Sequence, residues 1–158
     1  MYRTGAMTPG GSSNHGELIE PIVNVGSESA LGELAAGRWV MLYRSNTACT
    51  DACREALYRL HQTRQMLGRE MDRVIPVFLH DDSLPARVLL EGEHPGLQTI
   101  TDKGLGELLA EKRPKNVMPG GIYLLDPLAN LVMYFPPDLE PRDLVDDVKH
   151  LLKLSRIG

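Results

Sequence analysis

The sequence predicts a single α/β domain of three layers, a central mixed β-sheet flanked by helices. Three observations carry this expectation. Two continuous apolar runs, GRWVMLYRS at 37–45 and VIPVFLH at 74–80, are too short for core helices and have the character of strands buried on both faces. A stretch of helical spacing lies between them, so strand, helix and strand make a right-handed crossover with parallel pairing. Near the C-terminus, GIYLLDP and NLVMYFP are joined by a turn of hairpin composition, and an amphipathic helix follows.

The elements can be justified in chain order. Residues 1–15 are Gly/Ser/Thr-rich and featureless, the composition of a flexible segment or of the remnant of a tether, and residues 16–158 form the folded domain. ELIEPIVNV is short, apolar and interrupted by Pro21, which confines it to an edge strand or extended arm. The helix after 37–45 is expected to start among Thr47, Thr50 and Asp51, all competent N-caps. Its inward positions are Ala52, Ala56, Leu57, Leu60, the Arg64 stem and Leu67, and Gly68 ends it. Beyond 74–80 the pattern weakens: a helical turn or two at SLPARVLLEG, a short strand at LQTIT, a helix at DKGLGELLAEK and a loop at RPKNVMPGG. The last helix begins after Pro141, with Leu144, Val148, Leu151 and Leu152 on one face and its acids early and bases late, in accord with the helix dipole.

Composition excludes several function classes. With 42% apolar and 24% charged residues and a formal net charge of −4, the chain is an ordinary globular domain with no basic stripe to draw phosphates. Aromatics, at 5%, are too few for an extended base-stacking platform, so no nucleic-acid partner is expected. No run approaches the roughly 18 apolar residues of a membrane span, and no signal peptide is evident. Taken as complete, the chain is cytoplasmic; if the first residues are a tether stump, any membrane attachment comes from an anchor outside this sequence.

Both cysteines, Cys49 and Cys53, fall in TACTDAC, directly after the first core run. Ligands of open α/β sheets sit beyond the C-terminal ends of the strands, and a helix N-terminus stabilises a thiolate. Cys49 is therefore the better nucleophile candidate and Cys53 its partner. The opposing reading is a pair of small buried hydrophobes. On a regular helix, i and i+4 side chains lie about 5–6 Å apart at Cβ, wider than the about 3.5–4.5 Å of a disulfide, so a disulfide requires the first turn to loosen. A soft metal such as Cu(I) or Zn(II) needs no such closeness, but two thiolates call for a third ligand.

The order βαβ then ββα, with a cysteine pair at the first strand-to-helix junction, resembles the thioredoxin fold. More specifically, GRWVMLYRSNTACTDAC together with GIYLLDPLANLVMYFP and the terminal helix resembles the Sco/SenC group of that superfamily. The resemblance implies a thiol/copper protein at the periplasmic face of the inner membrane. Such a protein assists assembly of the CuA site of cytochrome c oxidase by thiol–disulfide exchange and, as an option, by Cu(I) delivery. The partner is then a respiratory oxidase subunit or another thiol protein.

Two departures weaken the copper site that the resemblance implies. Thr50 stands where the group has Pro, and Met118 stands where it has a ligating His. Met118 could supply a thioether to Cu(I), although packing against the core is its first reading. His80 ends the strand parallel to 39–45 and could reach the thiols, although a polar strand end is its first reading. The third alternative is that metal binding is lost and thiol exchange remains. Pro119 lies near the position of the superfamily's cis-proline. A metal-free dithiol oxidoreductase or peroxidase-like enzyme, and a non-catalytic interaction module with unreactive cysteines, are the rival functions.

Overall fold

The structure, a computed structural model, describes residues 14–26, 29–45, 51–80 and 96–155. In chain order these form β1 (Glu17–Asn24), α1 (Ala30–Ala35), β2 (Trp39–Ser45), α2 (Asp51–Met66), a 3-10 turn (Gly68–Arg73), β3 (Val74–His80), β4 (Gln98–Ile100), α3 (Lys103–Lys112), β5 (Ile122–Leu125), β6 (Asn130–Phe135) and α4 (Pro141–Leu154). The six strands make one mixed sheet in the order β1-β6-β5-β2-β3-β4.

Parallel pairing of β2 with β3, in register from Trp39 opposite Val74 to Ser45 opposite His80, is the crossover expected from the two apolar runs. β5 runs antiparallel to both β2 and β6, and β1 lies on β6 as an antiparallel edge strand with a register break between Leu18 and Val23, around Pro21. Helices cover both faces. On one, Trp39, Met41, Tyr43 and Phe78 pack with Leu57 and Leu60 of α2 and Leu144, Val148 and Leu152 of α4. On the other, Val40, Leu42, Val77 and Leu79 pack with Leu31 of α1 and Leu105 and Leu109 of α3. Both faces of β2 and β3 are thus buried, which is why their sequences do not alternate.

The expected hairpin turn is held by the buried Asp126, whose Oδ1 accepts from Leu128 N and Asn130 N, each at 2.9 Å. Several features depart from expectation. α1 has no counterpart in the sequence reading; its signal is Ser29, whose side chain caps Gly32 N at 3.1 Å. In α2 the inward stripe starts with Cys53 and not with Ala52, which is exposed. The expected helical turn at SLPARVLLEG lies outside the described residues.

The largest departure concerns His15 and Asp147. Asp147 lies on the core side of α4, only 5% exposed, and its carboxylate accepts from the backbone N–H of His15 (2.8 and 2.9 Å) and of Gly16 (2.7 Å). The residues leading into β1, expected to begin as a tail, are therefore fastened to the last helix. Burial raises the Asp147 pKa above the ordinary carboxylate value, only partly opposed by these N–H donors.

Tyr134 fastens a second segment. Its fully buried hydroxyl donates to Met118 O at 2.6 Å and accepts from Gly121 N at 2.9 Å, drawing the loop between α3 and β5 onto β6. Gly120 adopts φ +93°, which favours glycine, and a Cβ on Gly121 would lie 2.0 Å from the Phe135 carbonyl oxygen, so the first glycine is required by its backbone conformation and the second by close approach.

Two predictions follow from these contacts. Asp147→Ala strands two backbone donors and should cost about 1–3 kcal/mol in chemical denaturation. Because the native carboxyl holds its proton to higher pH than the unfolded one, its contribution makes stability fall as pH rises above the ordinary carboxylate value. Asp147→Asn should flatten that part of the stability–pH curve. Tyr134→Phe should likewise cost about 1–3 kcal/mol and accelerate hydrogen exchange at Gly121 selectively, leaving exchange in β2 and β3 unchanged.

Candidate functional site

The site is built by the end of β2 and the start of α2. β2 delivers the chain to the C-terminal edge of its parallel pair with β3, and the described part of α2 runs from Asp51. Cys53 is the third residue of α2. Its side chain is 2% exposed, within the apolar layer that contains Tyr43, Phe78 and Leu57. Cys53 is disulfide-bonded, and no free cysteine occurs among the described residues. Cys49, the nucleophile candidate, lies outside the described residues.

Cys53 carries a disulfide, the bond that the i, i+4 separation of a regular helix disfavours. Burial also divides the roles: a sulfur sealed under α2 is closed to an outside thiol, whereas it can still react within its own chain.

His80 is placed where the register argument puts it, opposite Ser45 at the end of β3. It alternates onto the same face as Phe78, whose ring lies 5.2 Å from the imidazole at 39°, while Tyr43 stacks on Phe78 at 5.9 Å. At 5% exposure it is a buried residue of the layer beneath α2 and not an open strand-end polar group. Burial also raises the Tyr43 pKa, keeping its phenol neutral.

Met118 departs further from expectation. It is 54% exposed and does not pack against the core, because the loop is anchored through the Met118 carbonyl and not through its side chain. Pro119 is trans; the cis peptide among the described residues is Glu20–Pro21. Pro119 nevertheless faces the thiol helix across a cleft of about 210 Å³, with Tyr43, Ala52, Ala56 and Phe135 as further walls and Glu55 and Arg59 on its rim. A second cleft, of about 230 Å³, lies on the other side of β2, between His80, Arg44 and the start of α3. Met118 precedes β5 and His80 ends β3, on the two sides of β2 in the sheet, and neither of the two clefts is lined by both residues.

These placements decide what the donors can hold. A disulfide has no thiolate to offer, so this redox state does not fit Cu(I); after reduction the two sulfurs become soft donors, and one of the two flanking residues would have to complete the set. Sequence reasoning missed the Tyr134 clamp and the Glu55 and Arg59 rim. The Gly120-Gly121 pair before an apolar strand was the available signal of close backbone approach.

No curated protein matches the chain significantly in sequence. Among solved structures, it is similar to copper-bound ScoI of Arabidopsis thaliana, with TM-score 0.62 and 19% identity over 78% of this chain and 89% of that one. It is also similar to copper-bound yeast Sco1, with TM-score 0.61 and 21% identity over 78% and 80%. The thioredoxin domain of a Bacteroides vulgatus thiol-disulfide oxidoreductase aligns at TM-score 0.52 and 15% identity over 87% and 97%. At these identities the likenesses establish the thioredoxin-like fold. The family described as the transmembrane-like, thioredoxin-like, C-terminal domain matches residues 39–155, most of the chain and all of the parallel core, and the chain belongs to that family.

Proposed function

We propose that the protein is a Sco-like dithiol exchange protein in which Cys49 reacts with the partner and Cys53 resolves. The observation that carries this reading is the disulfide-bonded Cys53, buried at the third position of α2 beside the C-terminal edge of the parallel strands.

In the reducing direction, the Cys49 thiolate attacks one sulfur of a partner disulfide. A mixed disulfide forms, the partner's S–S bond breaks, and the second partner sulfur leaves as a thiolate that takes up a proton. Cys53 then loses its proton and attacks the Cys49 sulfur. The intramolecular disulfide forms and the other partner sulfur is released, so the partner gains two electrons and the protein loses two. The N-terminus of α2 favours the thiolate at each stage. The trans Pro119 wall and the Glu55/Arg59 rim leave an open cleft beside the helix for the partner's chain.

The partner is a respiratory oxidase subunit or another thiol protein, met at the periplasmic face of the inner membrane by a chain held there through an anchor. None of the described helices is long and apolar enough to cross a membrane by itself. A second reading, Cu(I) delivery to a CuA site, is favoured by the copper-bound state of the similar Sco structures. Copper is then cargo of the reduced pair, with the exposed Met118 thioether the more accessible third donor.

Cys53→Ser should trap a partner by a mixed disulfide through Cys49, visible on non-reducing gels, whereas Cys49→Ser should reduce insulin-type disulfide turnover at least 100-fold. Absence of turnover in the wild type, with no partner trapped by Cys53→Ser, would leave the non-catalytic module as the better account. For the cargo reading, anaerobic titration of the reduced protein should give a one-to-one Cu(I) complex that Cys49→Ser abolishes and Met118→Leu weakens. Absence of that complex removes copper while leaving exchange intact.

A further inference from the structure

The segment entering β1 and the first turns of α4 bring three metal-ligating groups together, away from the cysteines. His15, Asp143 and Asp146 each present a ligand atom, and these atoms all lie within 4.8 Å of one another, with His15 Nε2 3.9 Å from Asp143 Oδ1. We propose that this triad binds a divalent transition ion of the zinc type. The proposal is independent of the thiol chemistry above and uses none of its residues.

Three features go beyond a chance meeting of surface acids. The donor set is mixed, one imidazole nitrogen and two carboxylates, all of them donor types that zinc accepts, and three protein ligands leave the fourth place for water. The imidazole comes from a different part of the chain, and its position is fixed independently of the metal. The buried Asp147, which is not a ligand, grips the backbone of His15 and Gly16 and so holds the ring over the two acids. Asp147 acts on the backbone and not on the ring, so it fixes the position from which His15 reaches the acids.

Charge is the third feature. Asp143, Asp146 and Asp147 crowd one end of α4, and no Lys or Arg among the described residues forms an ion pair with Asp143 or Asp146. The partial positive charge of the helix N-terminus offsets only about half a unit of this. Ligands around a tetrahedral zinc at about 2.0–2.2 Å stand about 3.3 Å apart, so the side chains need to close by roughly 1 Å. His15 and Asp146 are exposed and free to turn by that amount.

The site also has a defined place on the molecule. Gly16 sits against the Phe135 ring, and Phe135 is aligned through Ile122 with Tyr43 at the C-terminal edge of β2. Three strand spacings of about 4.8 Å put the triad about 14 Å along the same sheet edge from β2. An ion there would lock the start of β1 to α4.

The test is calorimetric titration of Zn(II) into the full chain with both cysteines oxidised, so that no thiolate competes. One equivalent should bind, raising the thermal midpoint. His15→Ala and Asp146→Asn should each weaken binding at least tenfold, while His61→Ala should leave it unchanged. Shifted His15 imidazole resonances on zinc addition would locate the ion. Absence of saturable uptake, or uptake that His15→Ala does not alter, overturns the proposal.

Discussion

The parallel pairing of β2 with β3 under α2 is the constraint on which the rest of the structure depends. It buries both faces of two strands, so the chain leaves β2 at an edge with no room to continue in the sheet and must turn into a helix. That turn places Cys53 on the inward side of the first helical turn, where apolar neighbours exclude water from its sulfur. Remove the pairing and the burial of Cys53 does not survive. Burial thereby limits the access of outside thiols to its sulfur.

Around this core, backbone bonds to single side chains do the positioning. Tyr134, from β6, holds the Met118–Gly121 loop through one carbonyl and one N–H, which sets the wall opposite α2 and leaves the Met118 side chain outside. Asp147 holds the start of β1 against α4 in the same manner. Both are buried polar groups with their hydrogen bonds made, the condition under which such groups specify a unique arrangement. Each joins segments far apart in sequence.

That distance explains what was legible in the amino-acid sequence. The runs at 39–45 and 74–80, the Asp126–Asn130 turn and the terminal helix are local patterns, and the structure has all four. The six-residue α1 was not legible because so short a helix is stabilised by burial of Leu31 and Ala35 and not by periodicity. Asp147 read as one more acid on a polar face, since nothing near it in sequence announces the N–H groups of His15 and Gly16. Met118 was expected in the core because methionine fills gaps; the loop is instead held by its backbone, so the side chain has no core place to occupy. The cysteine spacing was legible, but the disulfide at Cys53 was not, because the i, i+4 separation of a regular helix argues against one.

The central claim is that the sulfur pair is an exchange centre and not a sealed staple. Its most direct measurement is equilibration of the folded chain in graded mixtures of reduced and oxidised dithiothreitol, followed by acid quench, denaturing alkylation and mass determination. The account predicts a single two-electron transition in which both cysteines gain the label together while native circular dichroism is retained. A disulfide that resists reduction until the chain unfolds, or two cysteines that change label independently, would contradict it.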